Sequence, residues 1–465
     1  MTDHKPGTVL RPYQLEVGRA VVDSIFSKSG HTFSVEIARQ GGKNELSAHL
    51  EVALLTLHMA AGGTLIKCSP TFKPQTIVSM QRLRDRLTDF GFGDAYRTEM
   101  GYIISVHAAR ACFLSAEEHS SVVGHTADIL LEIDESQDVG KEKYSKEFRP
   151  MGSSTNVTTV HYGTTWDDTT LLEEIKQMNL EQERKDGIKR HFRYDWQQVA
   201  RHNKAYGHYV QGERARLGED HPLFRTQYLL LPIRGGGGFL TRAQILAMAG
   251  THDRLREPQP RVTYVAGIDL AGEREETKEE ALAASRQKLD STVITIAEVD
   301  TIQRSRAELV EPALRVVEHY HWKGTPHSQL YAQMVNILRT WKCQRVLVDA
   351  TGIGQPVASF LRSEIGSRVV PFTFTQRSKS DMGFELLSFV NSGRIRLYKK
   401  DGSPEYQELQ HQLERARSQY RPNQTMNFYV DPADGHDDFL ISLALVAEAA
   451  RDFRPRQAKG GERDD

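Results

Sequence analysis

The stretch "ARQGGKNEL", residues 38–46, carries the parts a triphosphate needs: glycines that let backbone N–H groups close around phosphate oxygens, a lysine to bridge them, and an arginine for further positive charge. Arg39, Gln40, Gly41, Gly42, Lys43 and Asn44 are therefore candidate nucleotide contacts. The loop departs from the general phosphate-loop spacing. Ile37 stands where the leading glycine would be, and Asn44 where a serine or threonine hydroxyl commonly meets magnesium. An amide oxygen is also a hard, neutral donor, so Asn44 keeps a place in a metal shell. Downstream, "ADILLEIDES" is an apolar run ending in Asp134 and Glu135. Such a pair suits hydrolysis of a phosphoanhydride, with Asp134 holding Mg2+ and Glu135 polarising the attacking water. Taken singly, the two stretches read as a Gly-Gly turn and an acidic strand end; on strands of one sheet they point to ATP.

Two further segments fit that chemistry. In "RPYQLEV", Tyr13 can stack on adenine while the Gln14 amide reads its N6/N7 edge. In "YGTTW", Gly163, Thr164 and Thr165 follow a strand and are placed to sense the γ-phosphate and relay its loss. A second set of acids lies in the other half: Asp269 in "YVAGIDLAG", Asp349 in "RVLVDATG", and Asp437 and Asp438 in "DGHDDFLISLALV", with His436 beside them. Acids from two neighbouring strands and one helix can converge on two Mg2+ ions about 4 Å apart, which clamp the attacking and leaving oxygens of a phosphodiester. This is the ribonuclease H arrangement, although aspartate is also a common strand end and helix cap.

These residues need elements to position them. A chain of 465 residues is too long for one core and implies two or three domains. With 39% hydrophobic and 26% charged residues it is an ordinary globular chain, and a net charge of −1 excludes a uniformly basic nucleic-acid coat without excluding a local basic groove. Cys68, Cys112 and Cys343 are too few and scattered for a disulfide framework or a Cys-x-x-Cys zinc site, so a reducing compartment is expected. "VALLTLHMAAGGTLI" from Val52 falls short of the roughly 20 apolar residues of a membrane span, and "MTDHKPGTVLRPYQ" lacks the features of a secretion signal.

From Thr32 to about Thr165, β-rich runs ("TFSVEIA", "GTLIKCS", "YIISVHA", "ACFLSA", "ADILLEID", "NVTTVHYGT") alternate with helical patterns, the signature of a parallel sheet with crossover helices. The expected organisation is an α/β P-loop ATPase core over residues 1–170 and a small helical subdomain over 171–232. A flexible glycine-rich linker is expected over 233–258, a mixed α/β domain of ribonuclease H type over 259–452, and a disordered tail over 453–465.

With both constellations in view, the chain resembles the large terminase subunit of tailed double-stranded DNA phages, over nearly its whole length. That resemblance implies an N-terminal ATPase that pumps DNA and a C-terminal nuclease that cuts it. The family loop is similar to Arg-x-x-Gly-Lys-[Ser/Thr/Asn], which Arg39, Gly42 and Lys43 match. The resemblance assigns the acidic strand end to Asp134 and Glu135, the adenine motif to Tyr13 and Gln14, coupling to Gly163, Thr164 and Thr165, and the metal acids to Asp269, Asp349, Asp437 and Asp438. "DLAG" matches the first nuclease motif, but "EREETKEEALAASRQKL" intervenes before Asp290, an accessory metal candidate, and is expected to project from the surface. Lys379 in "TQRSKSD" stands where the family has a basic residue facing DNA. Arg39 is a candidate arginine finger in cis and Arg149 in trans. The implied cofactors are ATP with Mg2+ and two Mg2+ or Mn2+ ions in the nuclease. The implied partners are double-stranded DNA, the portal protein of the procapsid, the small terminase subunit and a homo-oligomeric ring on the portal, with no membrane. The implied location is the host cytoplasm, with transient docking on the procapsid and none in the mature virion. A repair helicase-nuclease is the first alternative; "QGERARLGE" at Gln211 has the letters but not the spacing of a helicase arginine motif. A nucleotide-binding scaffold without turnover is the second.

Overall fold

The computed structural model describes residues 9–453 apart from 118, 121, 123, 234–236, 271–290, 303–310, 326, 353, 422 and 452. Asp290, the charged insert 273–289 and nearly all of the expected tail therefore lie outside the described residues. The chain forms two compact units, Met1–Gln211 with Pro222–Gly235, and Gly212–His221 with Gly236–Asp465.

The first unit runs α1 (Pro12–Phe26), β1 (Thr32–Ile37), α2 (Lys43–Leu57), β2 (Gly63–Ser69), α3 (Ile77–Asp89), β3 (Tyr96–Glu99), β4 (Ile103–Val106), β5 (Ala109–Ser115), β6 (Leu130–Ile133), α4 (Lys141–Lys143), β7 (Thr159–Gly163), α5 (Leu171–Asp186), β8 (His191–Tyr194), α6 (Trp196–His202), α7 (Lys204–Leu217, whose last turns fall in the second unit) and α8 (Pro222–Gln227). Its eight strands lie in the order β3-β4-β5-β2-β6-β7-β1-β8, parallel except for the β3-β4-β5 meander. In β1 every residue after Thr32 is buried, as a parallel strand between helical layers requires. The helix-prone stretch after Leu171 also supplies β8, which pairs in parallel with β1 at the sheet's edge. Its sequence, "HFRY", alternates buried Phe192 and Tyr194 with half-buried His191 and exposed Arg193, so it never shows the continuous apolar run of a central strand.

The second unit runs β9 (Gly237–Gly238), α9 (Arg242–Ala247), β10 (Thr263–Asp269), β11 (Ser291–Ile302), β12 (Glu311–Lys323), α10 (His327–Trp341), β13 (Arg345–Asp349), α11 (Gly354–Ile365), β14 (Val369–Phe372), α12 (Gln376–Asn391), β15 (Ile395–Arg396), α13 (Pro404–Arg415), β16 (Ala416–Tyr420), β17 (Met426–Val430) and α14 (Asp438–Ala450). Six strands form a sheet in the order β14-β13-β10-β11-β12-β15, antiparallel across β10-β11-β12 and parallel from β10 through β13 to β14. A smaller antiparallel sheet holds β17, β16 and β9. The described part of the expected linker thus differs from a loose spacer. Gly237 and Gly238 pair with Ser418 and Arg417, and Thr241 with Gln244 forms a capping box that starts α9.

Helix α14 lies across β10 at a distance that only glycine permits. A Cβ on Gly267 would stand 2.3 Å from the carbonyl oxygen of Ser442, and the Ser442 hydroxyl donates to the Gly267 carbonyl at 2.9 Å. This contact fixes the start of α14 relative to the end of β10, two residues after Gly267. Gly267→Ala must push the helix off the sheet, and the expected loss is about 1–3 kcal/mol of stability in the second unit, the usual size for overpacking a core. The denaturant midpoint of the variant measures it; an unchanged midpoint means that the helix is not held by this approach.

Candidate functional site

The C-terminal ends of β6, β7 and β1 are neighbours, and each carries one of the motifs: Asp134 and Glu135 follow β6, Gly163 to Thr165 close β7, and residues 38–42 follow β1. Neighbouring strand ends of a parallel sheet form the crevice in which open α/β proteins hold ligands. Gln40 and Gly42 take left-handed backbone angles, φ 61° and 100°, and the chain then enters α2 at Lys43. The loop is tightly braced. The Tyr13 hydroxyl donates to the Gly41 carbonyl, and the Gln14 amide donates to the Gly42 carbonyl at 2.8 Å while its oxygen accepts from the Arg11 backbone at 2.8 Å. Tyr13 packs against Tyr194, centroids 5.2 Å apart. Both proposed adenine contacts are buried and here hold the loop's own carbonyls.

Lys43 Nζ lies 3.0 Å from each carboxylate oxygen of Glu135. Burial would raise the Glu135 pKa, but the Lys43 ammonium, the Gln137 amide and, further off, Arg39 outweigh it and hold this carboxyl below its ordinary range. Glu135 is thus ionised at neutral pH, as a residue that polarises water must be. Asp134 goes the other way: burial first, and then Glu135, raise its pKa against the opposing ammonium charges of Lys67 and Lys43. A dication beside it would reverse that sign.

Gln137, a residue with no sequence signal beyond its place after Glu135, ties the acidic strand end to the coupling motif. Its Nε2 donates to Glu135 Oε2 at 2.8 Å and its Oε1 accepts from the Thr164 backbone at 3.2 Å. Thr165 in turn donates to Glu36 Oε1 at 2.8 Å, and Lys176 Nζ of α5 lies 3.5 Å from the same oxygen. Burial raises the Glu36 pKa, with Lys176 opposing. Gly163 admits this arrangement, since a Cβ there would stand 2.2 Å from Gln137 Oε1. Arg39 is exposed and donates to Gln227 Oε1 at 2.7 Å, while its own carbonyl accepts from Tyr206. Asn44 is half-buried at the second position of α2, and Arg149 is exposed.

In the second unit the register Ile268 to Val348 puts Asp269 and Asp349 at adjacent ends of parallel strands β10 and β13, and Asp437 and Asp438 open α14. Burial raises the Asp269 pKa well above its usual value, and Asp438, Asp349 and Asp437 raise it further, with Lys379 opposing. Burial also raises Asp349 and Asp437. Lys379 lies over the Phe428 ring at 5.4 Å, and its charge favours the ionised forms of Asp269, Asp349 and Asp437. Among the described residues no three His, Cys, Asp or Glu side chains stand in a ready metal-binding group. Asp438, Asp349 and Asp437 all act electrostatically on Asp269, which puts the four acids in one neighbourhood. This donor set fits hard divalent cations, which take carboxylate oxygens and remove the repulsion that raises Asp269. His436 is half-buried beside the acids.

The floor of the first site also makes a pH prediction. His161 of β7 is fully buried, between the Ser136 hydroxyl at 2.9 Å and the Tyr144 hydroxyl at 3.2 Å, and burial pushes its pKa down to about 3. An unfolded histidine protonates near 6.5, so between these values the unfolded chain binds a proton that the folded one does not. The stability advantage of wild type over His161→Gln is therefore full above 6.5 and shrinks by about 1.4 kcal/mol per pH unit below it. Paired denaturant titrations at pH 7.5, 6 and 5 read this, and a constant difference would show that His161 titrates normally.

Comparison with known proteins adds to this geometry. Residues 282–449 match the family described as "Terminase RNaseH-like domain", a span that begins after Asp269. No curated protein matches. Among solved structures, the large terminase from a thermophilic bacteriophage is similar at 12% identity, covering 95% of this chain and 99% of that one with a TM-score of 0.56. The same protein in complex with ADP covers 94% and 99% at 12% identity with a TM-score of 0.53. The HK97 bacteriophage large terminase is 13% identical, covering 95% of each chain with a TM-score of 0.40. The first two likenesses establish that both units share the large-terminase fold, an ATPase-type α/β unit followed by a ribonuclease H-like one.

Proposed function

We propose that the chain is a large terminase subunit of a tailed bacteriophage, an ATP-driven motor for double-stranded DNA that also cuts the DNA it packages; the match of residues 282–449 to the terminase ribonuclease H-like family and the shared fold support this. The observation that carries this reading is the pairing of the two constellations in one chain, each built at the ends of neighbouring parallel strands. Lys43 leaves Glu135 for the β- and γ-phosphates when ATP enters; the freed Glu135 then polarises water. Arg39 swings from Gln227 to the γ-phosphate, and Asp134 and Asn44 serve the Mg2+ that accompanies ATP. Loss of the γ-phosphate lets Lys43 return to Glu135, and Gln137 passes that change to Thr164 while Thr165 passes it to Glu36. Tyr13 and Gln14 set the loop's shape at its adenine side.

In the second unit Asp269, Asp349, Asp437 and Asp438 would hold two divalent ions, Mg2+ or Mn2+, which supply the charge stabilisation that phosphodiester cleavage needs. Lys379 faces the same acids and would meet a DNA phosphate by its positive charge. Assembly as a ring on the portal of a procapsid, with a small terminase subunit that selects the DNA, is the finer part of this proposal, together with host-cytoplasmic location and transient docking.

The two engines are expected to separate genetically. DNA-stimulated phosphate release falls at least about 100-fold in Lys43→Ala and in Glu135→Ala, whereas Asp349→Ala keeps it. Conversely, Asp349→Ala abolishes Mn2+-dependent plasmid cleavage. Phosphate release no higher in wild type than in the Lys43 variant would leave a non-hydrolysing scaffold, and undiminished cutting by the Asp349 variant would overturn the nuclease assignment. Asn44→Thr is expected to keep ATP turnover and Asn44→Ala to weaken it; equal rates in all three proteins would remove Asn44 from the metal shell.

A further inference from the structure

Aspartate is among the best helix N-caps, and Asp437 occupies the cap position of α14. Yet its carboxylate makes no capping bond to the helix. The backbone N–H groups that an N-cap normally satisfies, those of the second and third helical residues, belong to Phe439 and Leu440, and both donate to Gln412 Oε1, at 2.8 and 3.2 Å. Gln412 comes from another helix, α13, and is almost fully buried at 1% exposure. Its orientation is set from the far side, where Nε2 donates to Glu408 Oε1 at 3.0 Å, so the oxygen and not the amide nitrogen meets the helix. The Asp437 carboxylate is instead coupled electrostatically to Asp269, and burial raises its own pKa against the opposing charge of Lys379.

We propose that Gln412 is a positioning residue for the nuclease: it caps α14 in place of Asp437 and so leaves that carboxylate to the cluster with Asp269 and Asp349. The proposal rests on the nuclease reading above. Two demands meet at one carboxylate, since the helix start needs an acceptor and the divalent ions need an anionic oxygen. A neutral glutamine oxygen meets the first demand without adding a fifth negative charge to the site. When that oxygen is removed, the nearest replacement acceptor is Asp437 itself, which turns toward the helix and away from the ions.

The test uses the full chain and a double-mutant cycle. Gln412→Met keeps the volume and removes the acceptor. Calorimetric titration with Mn2+ alone is expected to show affinity about 10- to 100-fold weaker in Gln412→Met, the usual range for a residue that orients a ligand. In an Asp437→Ala background, Gln412→Met is expected to cost no further Mn2+ affinity, because the competing carboxylate is gone. An equal cost in both backgrounds would mean that Gln412 acts only by general packing and would overturn the proposal. Amide exchange supplies a readout free of metal: at Phe439 and Leu440 it rises only a few-fold in Gln412→Met, because Asp437 takes over the cap, and at least about 30-fold in the double variant. A large rise in the single variant would equally overturn it. If wild type binds no Mn2+ while this exchange pattern appears, the capping relation stands and the nuclease reading is what fails.

Discussion

A parallel ladder sets like ends of neighbouring strands about 4.8 Å apart, and both sites depend on that spacing. In the first unit it brings the ends of β6, β7 and β1 together, so a lysine at the start of α2 can reach the carboxylate of Glu135, 92 residues away in sequence. In the second it sets Asp269 beside Asp349 through the β10 and β13 register. Antiparallel neighbours would put the two ends on opposite rims of the sheet. On the proposed reading, the helices that follow supply what strands cannot: the amide-rich start of α2 would meet phosphate, and the acids that open α14 would meet cations.

Charge burial is the cost of building there, and the two units handle it differently. In the first, several acids near the loop pair with an ammonium. Lys43 holds Glu135, Lys176 approaches Glu36, and the buried Lys67 bonds to Glu51 at 2.9 Å close to Glu132. Such pairs do little for net stability, but removing one partner leaves a buried charge worth about 3–5 kcal/mol. They fix geometry, and the Lys43 pair can be exchanged for a phosphate because a phosphate is a better anion for the same lysine. In the second, burial and then the neighbouring acids Asp438, Asp349 and Asp437 raise the Asp269 pKa, against the opposing charge of Lys379. Neutralisation is left to whatever cation enters.

What the sequence made legible follows the range over which each feature is determined. The loop after β1, the acids after β6 and the acids at β10, β13 and α14 were readable because an apolar run followed by a polar terminus is local information. Tyr13 and Gln14 were legible as parts of the site, but their engagement with the carbonyls of Gly41 and Gly42 was not, since it depends on where α1 packs. The edge strand β8 was hidden by half-exposure, and the pairing of Gly237 and Gly238 with β16 by glycine's lack of any side-chain pattern. Gln137 and Gln412 were invisible for the same reason: a glutamine amide announces nothing until its two faces are seen to meet different partners.

The bland reading of Asp437, a helix cap, was correct about its position and silent about its bonds. Position in a helix fixes which amides lack partners, but not which acceptor supplies them. Where a buried neutral oxygen from a neighbouring helix does so, an acid at the cap position is released without leaving two donors unsatisfied, each of which would otherwise cost about 1–3 kcal/mol. A buried acceptor aimed at the start of a helix that opens with acids is therefore physical grounds for reading those acids as ligands, and it separates them from the many aspartates that merely begin helices.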